Sequence, residues 1–152
     1  VANDLIPYKR FGDDITGYAT AAITGKRCVQ IAAAKPVGEK AEGNPGLLAS
    51  GTPTGGGGTY RVAHPSGAGA NGGAAKMIFG VAKYDQPTIG KLVGIIREGI
   101  VPITTSAAIT AGQLVQVAAD GTIVPVSTGV AIGTACDDAA SGADAEVALF
   151  IS

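Results

Sequence analysis

The chain has 152 residues, 24 of them Gly and 8 Pro, with no Trp and only 5% aromatic residues; its length fits one domain, or two small subdomains sharing a core. Its apolar side chains are mainly Ala, Val and Ile, which bury little area each at roughly 25 cal/mol per Å², so oligomerisation or docking on a larger body is expected to supply the missing buried surface. No run approaches the ~20 apolar residues of a membrane-spanning helix, and a net charge of −1 argues neither for nor against nucleic acid.

Charge is unevenly placed along the chain. All 11 Lys and Arg lie at or before Arg97, and the only charged residues after it are Glu98, Asp120, Asp137, Asp138, Asp144 and Glu146. Such asymmetry can orient a protein on a charged partner or pair subunits head to tail; ordinary solvated charge is the alternative.

Residues 1–14, VANDLIPYKRFGDD, are polar and mixed, without a signal-peptide pattern, and Val1 is consistent with a removed initiator Met. They are expected to form an extended arm, because Pro7 blocks regular structure near its N-terminal side. Ile6 and the basic-aromatic cluster Tyr8, Lys9, Arg10 and Phe11 are the candidate contacts with a partner surface, with a frayed terminus as the alternative.

From Ile15 the pattern is that of strands. Ile15, Gly17, Ala19 and Ala21 fall on one face, and Thr16, Tyr18 and Thr20 on the other. Thr24-Gly25-Lys26 reads as a turn, and Arg27–Ile31 alternates again. Ala makes a helix the rival here, but Thr, Ile and the interrupting Gly favour strands. Residues 34–75 are dense in Gly and Pro and predict a long insertion with apolar anchors at Leu47-Leu48 and Tyr60-Arg61-Val62. Strand pattern resumes in Met77–Asp85 and Lys91–Arg97, around a turn at Gln86-Pro87-Thr88. Ile100–Thr104, Leu114–Val117 and Thr122–Val126 follow, with a hairpin signal at Asp120-Gly121 and Pro125 marking an edge or a bulge. Gly129–Ala135 and Glu146–Ile151 complete the predicted strands.

One unit is used twice. AAITGKRCVQIAA (residues 21–33) aligns without a gap to AAITAGQLVQVAA (residues 107–119). Farther on, residues 80–96 resemble residues 133–150 if one inserted residue is allowed, with Gly80, Ala82 and Asp85 matched to Gly133, Ala135 and Asp138, and Val93 to Val147. The expected organisation is an arm (1–14) and a single β domain (15–152) made of units 15–99 and 100–152, only the first carrying the insertion. Copy one has Lys26 and Arg27 where copy two has Gly112 and Gln113, so Lys26 and Arg27 join the candidate contacts.

No catalytic constellation is visible. Residues 67–72 satisfy GxGxxG, but His64-Pro65-Ser66 precedes them where a dinucleotide site needs a strand. Gly55–Gly58 lacks the GK[ST] of a P-loop. His64 is the only histidine, and beside Pro65 in the insertion it reads as a loop residue. Asp13-Asp14 and Asp137-Asp138 lack cation-loop spacing and read as turn formers. Cys28 and Cys136, in or at the end of apolar runs, read as buried free thiols rather than a disulfide. No cofactor or metal is expected, nor any nucleic-acid signature.

The second copy, through Ile109-Thr110-Ala111-Gly112-Gln113-Leu114-Val115, Asp120-Gly121, Gly129-Val130-Ala131 and Ala140-Ser141-Gly142, resembles the capsid cement or head decoration proteins of tailed bacteriophages. The opening PYKRFGDDITGYATAAITGKR looks like decoration proteins of actinobacterial phages. The duplication and the insertion are departures from a minimal cement protein. The resemblance implies an all-β fold, a small β-barrel of the β-tulip kind. It also implies a non-enzymatic virion protein, made in the host cytoplasm, that binds the outside of the capsid and stabilises it. Its partners would be the major capsid protein and its own copies, as a homotrimer on three-fold and quasi-three-fold sites, with no nucleic acid or membrane. A tail-tube or spike-base protein, or a carbohydrate-binding module, are the alternatives; no Trp and only 4 Tyr weigh against sugar stacking.

Overall fold

Alternating apolar residues, cut by Gly and Pro turns, produce ten short strands among the described residues. The computed structural model describes residues 15–34, 60–65 and 78–150, and within them the chain is all-β, with a single 3-10 turn at Ala119–Gly121. The strands are β1 (Ile15–Ala19), β2 (Cys28–Ala33), β3 (Tyr60–Ala63), β4 (Ile78–Ala82) and β5 (Leu92–Ile96), then β6 (Ile100–Thr104), β7 (Leu114–Val117), β8 (Ile123–Pro125), β9 (Gly133–Ala135) and β10 (Asp144–Leu149).

The first five close into a barrel in the order β1-β3-β2-β4-β5, and the last five form a sheet in the order β6-β10-β9-β7-β8. Strand for strand the connectivity is the same. β1 and β3 pair in parallel over three residues, whereas their counterparts β6 and β8 meet only at the parallel bridge Thr105–Ile123. The anchor read at Tyr60-Arg61-Val62 is thus a barrel strand. Val62 is fully buried, the Tyr60 ring lies 4.8 Å from that of Phe79, and the Arg61 guanidinium sits 4.5 Å over the Tyr18 ring. Alternation within β3 points Val62 inward and Arg61 to the opposite face, where it meets Tyr18 of the paired strand; Tyr60, two residues before Val62, lies on Val62's side.

Hydrogen bonds repeat between the halves. Ile23 and Gln86 exchange backbone bonds, as do Ile109 and Ala139. Gly25 N–H donates to Asp85 Oδ1 (2.7 Å) and Ala111 N–H to Asp138 Oδ1 (2.8 Å). Lys26 N–H donates to Ala82 O and Gly112 N–H to Ala135 O, both at 2.8 Å. Beyond the turns the register departs from the expected alignment. Gly90 donates to Ala19, and Gly142 to Thr105, the residue aligned with Ala19. Val93 therefore corresponds to Ala145, and Ile95 to Val147. The extra residue belongs to the first copy, in its loop before Gly90; identity at a single Val misled the alignment. Gly129–Ala135 also shortens to Gly133–Ala135, because the Gly129 N–H bonds the Gln116 side chain at 2.9 Å instead of a ladder partner.

Each unit has its own interior: Ala19, Ile23, Val29, Val62, Ala82, Val93 and Ile95 in the first, and Val101, Ile103, Ile109, Val115, Val117, Ile123, Ala145 and Val147 among the second. The second cluster extends into the first unit, taking in Cys28, Ile78 and Val81, with Ile96 packed against it. These four lie on the face of β2, β4 and β5 opposite the first unit's interior.

The repeated glutamines make the copies distinguishable. Gln116 Oε1 accepts from Ser127 N–H and Gly129 N–H, each at 2.9 Å, whereas the buried Gln30 Oε1 has no partner among the described residues. Gln116→Leu should therefore cost about 1–3 kcal/mol in urea unfolding, because two loop N–H groups lose their acceptor. Gln30→Leu should be near neutral by the same measurement.

Candidate functional site

Among the described residues, charged and polar side chains from both units converge at the junction between them. It is built on the first repeat turn. Lys26 takes a left-handed backbone conformation (φ 57°) where the second copy has Gly112 (φ 86°). A side chain at such a position costs on the order of 1 kcal/mol relative to Gly. Lys26 offsets this with contacts that a glycine cannot make. Its Nζ lies 2.6 Å from Asp144 Oδ2, and Asp144 Oδ1 accepts from Thr104 Oγ1 at 3.0 Å. Lys26 O accepts Thr104 N–H at 2.9 Å, and Arg27 Nη1 reaches Asp120 Oδ2 at 3.1 Å. The lysine hydrogen bond holds the Asp144 carboxyl below its ordinary value of 3.8.

Beneath these pairs lies a closer contact. Asp120 and Gly121 both have positive φ, 66° and 83°, and turn the chain from β7 to β8. A Cβ at Gly121 would collide with Cys28 O and stand 2.9 Å from His64 Nδ1. Only a glycine lets the two backbones approach this closely. Asp120 N–H also donates to Pro65 O at 3.1 Å.

His64 ties the first unit's side of this contact together. Thr24 N–H donates to Nε2 at 2.8 Å, so the neutral ring carries its proton on Nδ1, which lies 2.8 Å from Cys28 O and donates to it. Burial, reinforced by the nearby Arg27, pushes the His64 pKa below 6.5 against the opposing pull of the Cys28 carbonyl and Asp120. An imidazolium would turn an N–H toward the Thr24 N–H. The sequence assigned His64 to a loop insertion; the structure places it directly after β3 as a junction residue. Spacing along the chain could not reveal this, because its partners lie 36 and 40 residues away.

The other sequence candidates fall as follows. Ile6, Tyr8, Lys9, Arg10 and Phe11 lie outside the described residues, as do Asp13-Asp14 and the Gly-rich motifs. Lys26 and Arg27 are brought together at the junction, with carboxylate partners inside the chain. Asp137 and Asp138 take backbone N–H groups of Glu146 and Ala111, both at 2.8 Å, and serve as turn acceptors. Both cysteines are free. Cys28 is buried, its thiol pushed up to about 12 by desolvation, which leaves no thiolate at neutral pH. Cys136 was expected to be buried and is exposed, because Ala135 takes the inward position of that strand pair.

Two five-stranded units joined across a close backbone contact define an all-β module. The profile of the family described as phage cement protein matches residues 9–151, and the chain belongs to that family, whose role is structural and capsid-associated. No curated protein matches it. Among solved structures it is similar to the head fiber gp8.5 N base of bacteriophage phi29, with a TM-score of 0.58 at 15% identity over 90% of this chain and 92% of that one. At that identity the likeness is one of fold.

The depressed His64 pKa gives the junction a signed pH dependence. A group whose folded pKa lies below its unfolded value stabilises fully above the unfolded value and loses that contribution as pH falls through the folded one. The melting temperature should therefore drop as pH falls below 6.5, well before the Asp144 contribution is lost below 3.8. H64Q, less stable at pH 8, should lack the slope that His64 gives below pH 6.5 in thermal melts. A slope equal to wild type would contradict the assignment.

Proposed function

We propose that this protein binds the outer surface of a phage capsid, with the major capsid protein as partner, and reinforces the shell without catalysing a reaction. The observation that carries this reading is the family match across residues 9–151. The physical features agree with it. The junction makes one stiff body from two small units, and a stiff body can transmit load between shell subunits. The only histidine has both ring nitrogens bonded to backbone, and the buried thiol is held protonated. Residues 1–14 act as the arm, with Ile6, Tyr8, Lys9, Arg10 and Phe11 as shell contacts, and the chain works as a homo-oligomer, three copies about a three-fold or quasi-three-fold site.

Lys26 and Arg27 have a divided duty on this reading, since each also pairs within the chain. Deleting residues 1–14 should leave a folded protein with wild-type melting behaviour that no longer co-sediments with expanded, empty capsids. Full occupancy by the truncated protein would sink the arm. For Lys26, the swap K26E with D144K keeps an ion pair at the junction while reversing the charge toward solvent. Loss of co-sedimentation in the swap, with stability retained, marks a direct shell contact. Wild-type binding by the swap leaves Lys26 a junction residue alone.

A further inference from the structure

The row of outward side chains that the first unit buries has an uncovered counterpart on the second. By the repeated hydrogen bonds, Cys28, Val81 and Ile96 correspond to Leu114, Thr134 and Ala148. In the first unit Cys28 pairs with Val81 and Val81 with Ile96. In the second, Leu114 pairs with Thr134, Thr134 with Ala148, and Ala148 with Ile100. These four residues cross β7, β9, β10 and β6 as one lateral row. Their chain neighbours Val115, Ala135, Val147 and Val101 point into the core, so the row faces out.

Its exposure is opposite to that of its counterpart. Cys28 is 0% and Val81 2% exposed, because the second unit sits on them; Leu114 is 47% and Ile100 63% exposed. Phe150, two residues beyond Ala148 on the same strand path, is 55% exposed and widens the row. No charge lies on it, although every charged residue of the second unit is an acid. A contiguous apolar patch rimmed by charge marks an interaction surface.

We infer that this row is the docking surface for a second copy of the chain, whose basic first unit meets it. A unit of this fold already sits on the equivalent row within the chain, so the shape accepts one. Charge selects which unit of the second copy arrives. Residues 1–97 carry 11 basic against 6 acidic side chains, and residues 98–152 carry six acids and no base. First unit against second unit is the one pairing of opposite sign between copies. The contact joins two different surfaces, so it is heterologous and generates a closed ring if its rotation closes. The inference rests on the reading above that copies of this chain associate, and adds to it the surface and its polarity.

The test uses the full chain without capsids. Light-scattering mass is measured from about 1 to 100 μM at low and high salt, for wild type, L114D and I100D, alongside thermal melts. The wild type should exceed the mass of one chain, with association weakening as salt rises. Each variant should associate at least ~10-fold more weakly, as for loss of an interface anchor, and should melt at the wild-type temperature at the dilute end, where mass action stabilises neither. A wild type of single-chain mass at every concentration overturns the inference. So do variants that associate like wild type, whether they then lose capsid co-sedimentation, which would assign the row to the shell, or melt lower, which would assign it to a segment of the same chain. Intact self-association in a wild type that fails to bind capsids would instead overturn the proposed function and leave this inference standing.

Discussion

Cys28 is fully buried although it faces out of the barrel that contains it. That single constraint organises the molecule. A five-stranded barrel of Ala, Val and Ile has a small interior, and the outward row of Cys28, Val81, Ile78 and Ile96 adds apolar area outside that interior. The second unit covers it and gains a core larger than its own strands supply. The two units thus share one hydrophobic cluster, and neither completes its burial alone. The second sheet needs this more, because its β6 and β8 edges meet at only one bridge.

Polar contacts then fix how the units sit. The Gly121 turn lies against Cys28 O, His64 closes the space beside it, and the ion pairs at Lys26 and Arg27 stand at the rim. The pairs are half exposed, so each contributes at most about 1 kcal/mol. Their effect is to select the orientation that apolar burial alone leaves loose. Duplication followed by divergence explains the chemistry at this point. The same turn carries Gly112 in the copy whose outer row is bare, and a lysine in strained backbone in the copy whose outer row is covered.

Much of this was legible in the chain. The β class followed from period-two alternation between Gly and Pro turns, and the paired use of one unit from AAITGKRCVQIAA and AAITAGQLVQVAA. The difference at Lys26 and Arg27 was visible, but their partners inside the chain were not, because Asp144 and Asp120 lie 118 and 93 residues away and are chosen only by the fold. His64 was missed for the same reason. β3 was hidden because four residues, Tyr60–Ala63, show too little alternation to stand out in a Gly-rich stretch. Val93 was aligned to Val147 by identity; only the bond from Gly90 to Ala19 shows that Ala145 holds its place.

As a member of the phage cement protein family, the chain has a structural role, and its two units share one hydrophobic cluster. A shared core predicts that the two units cannot unfold separately. Differential scanning calorimetry of the full chain tests this most directly. One transition, with calorimetric and van't Hoff enthalpies in a ratio of about 1, is the predicted result. Two resolved transitions, or a ratio well above 1, would show that the units are independent and that the buried Cys28 face is not what unites them.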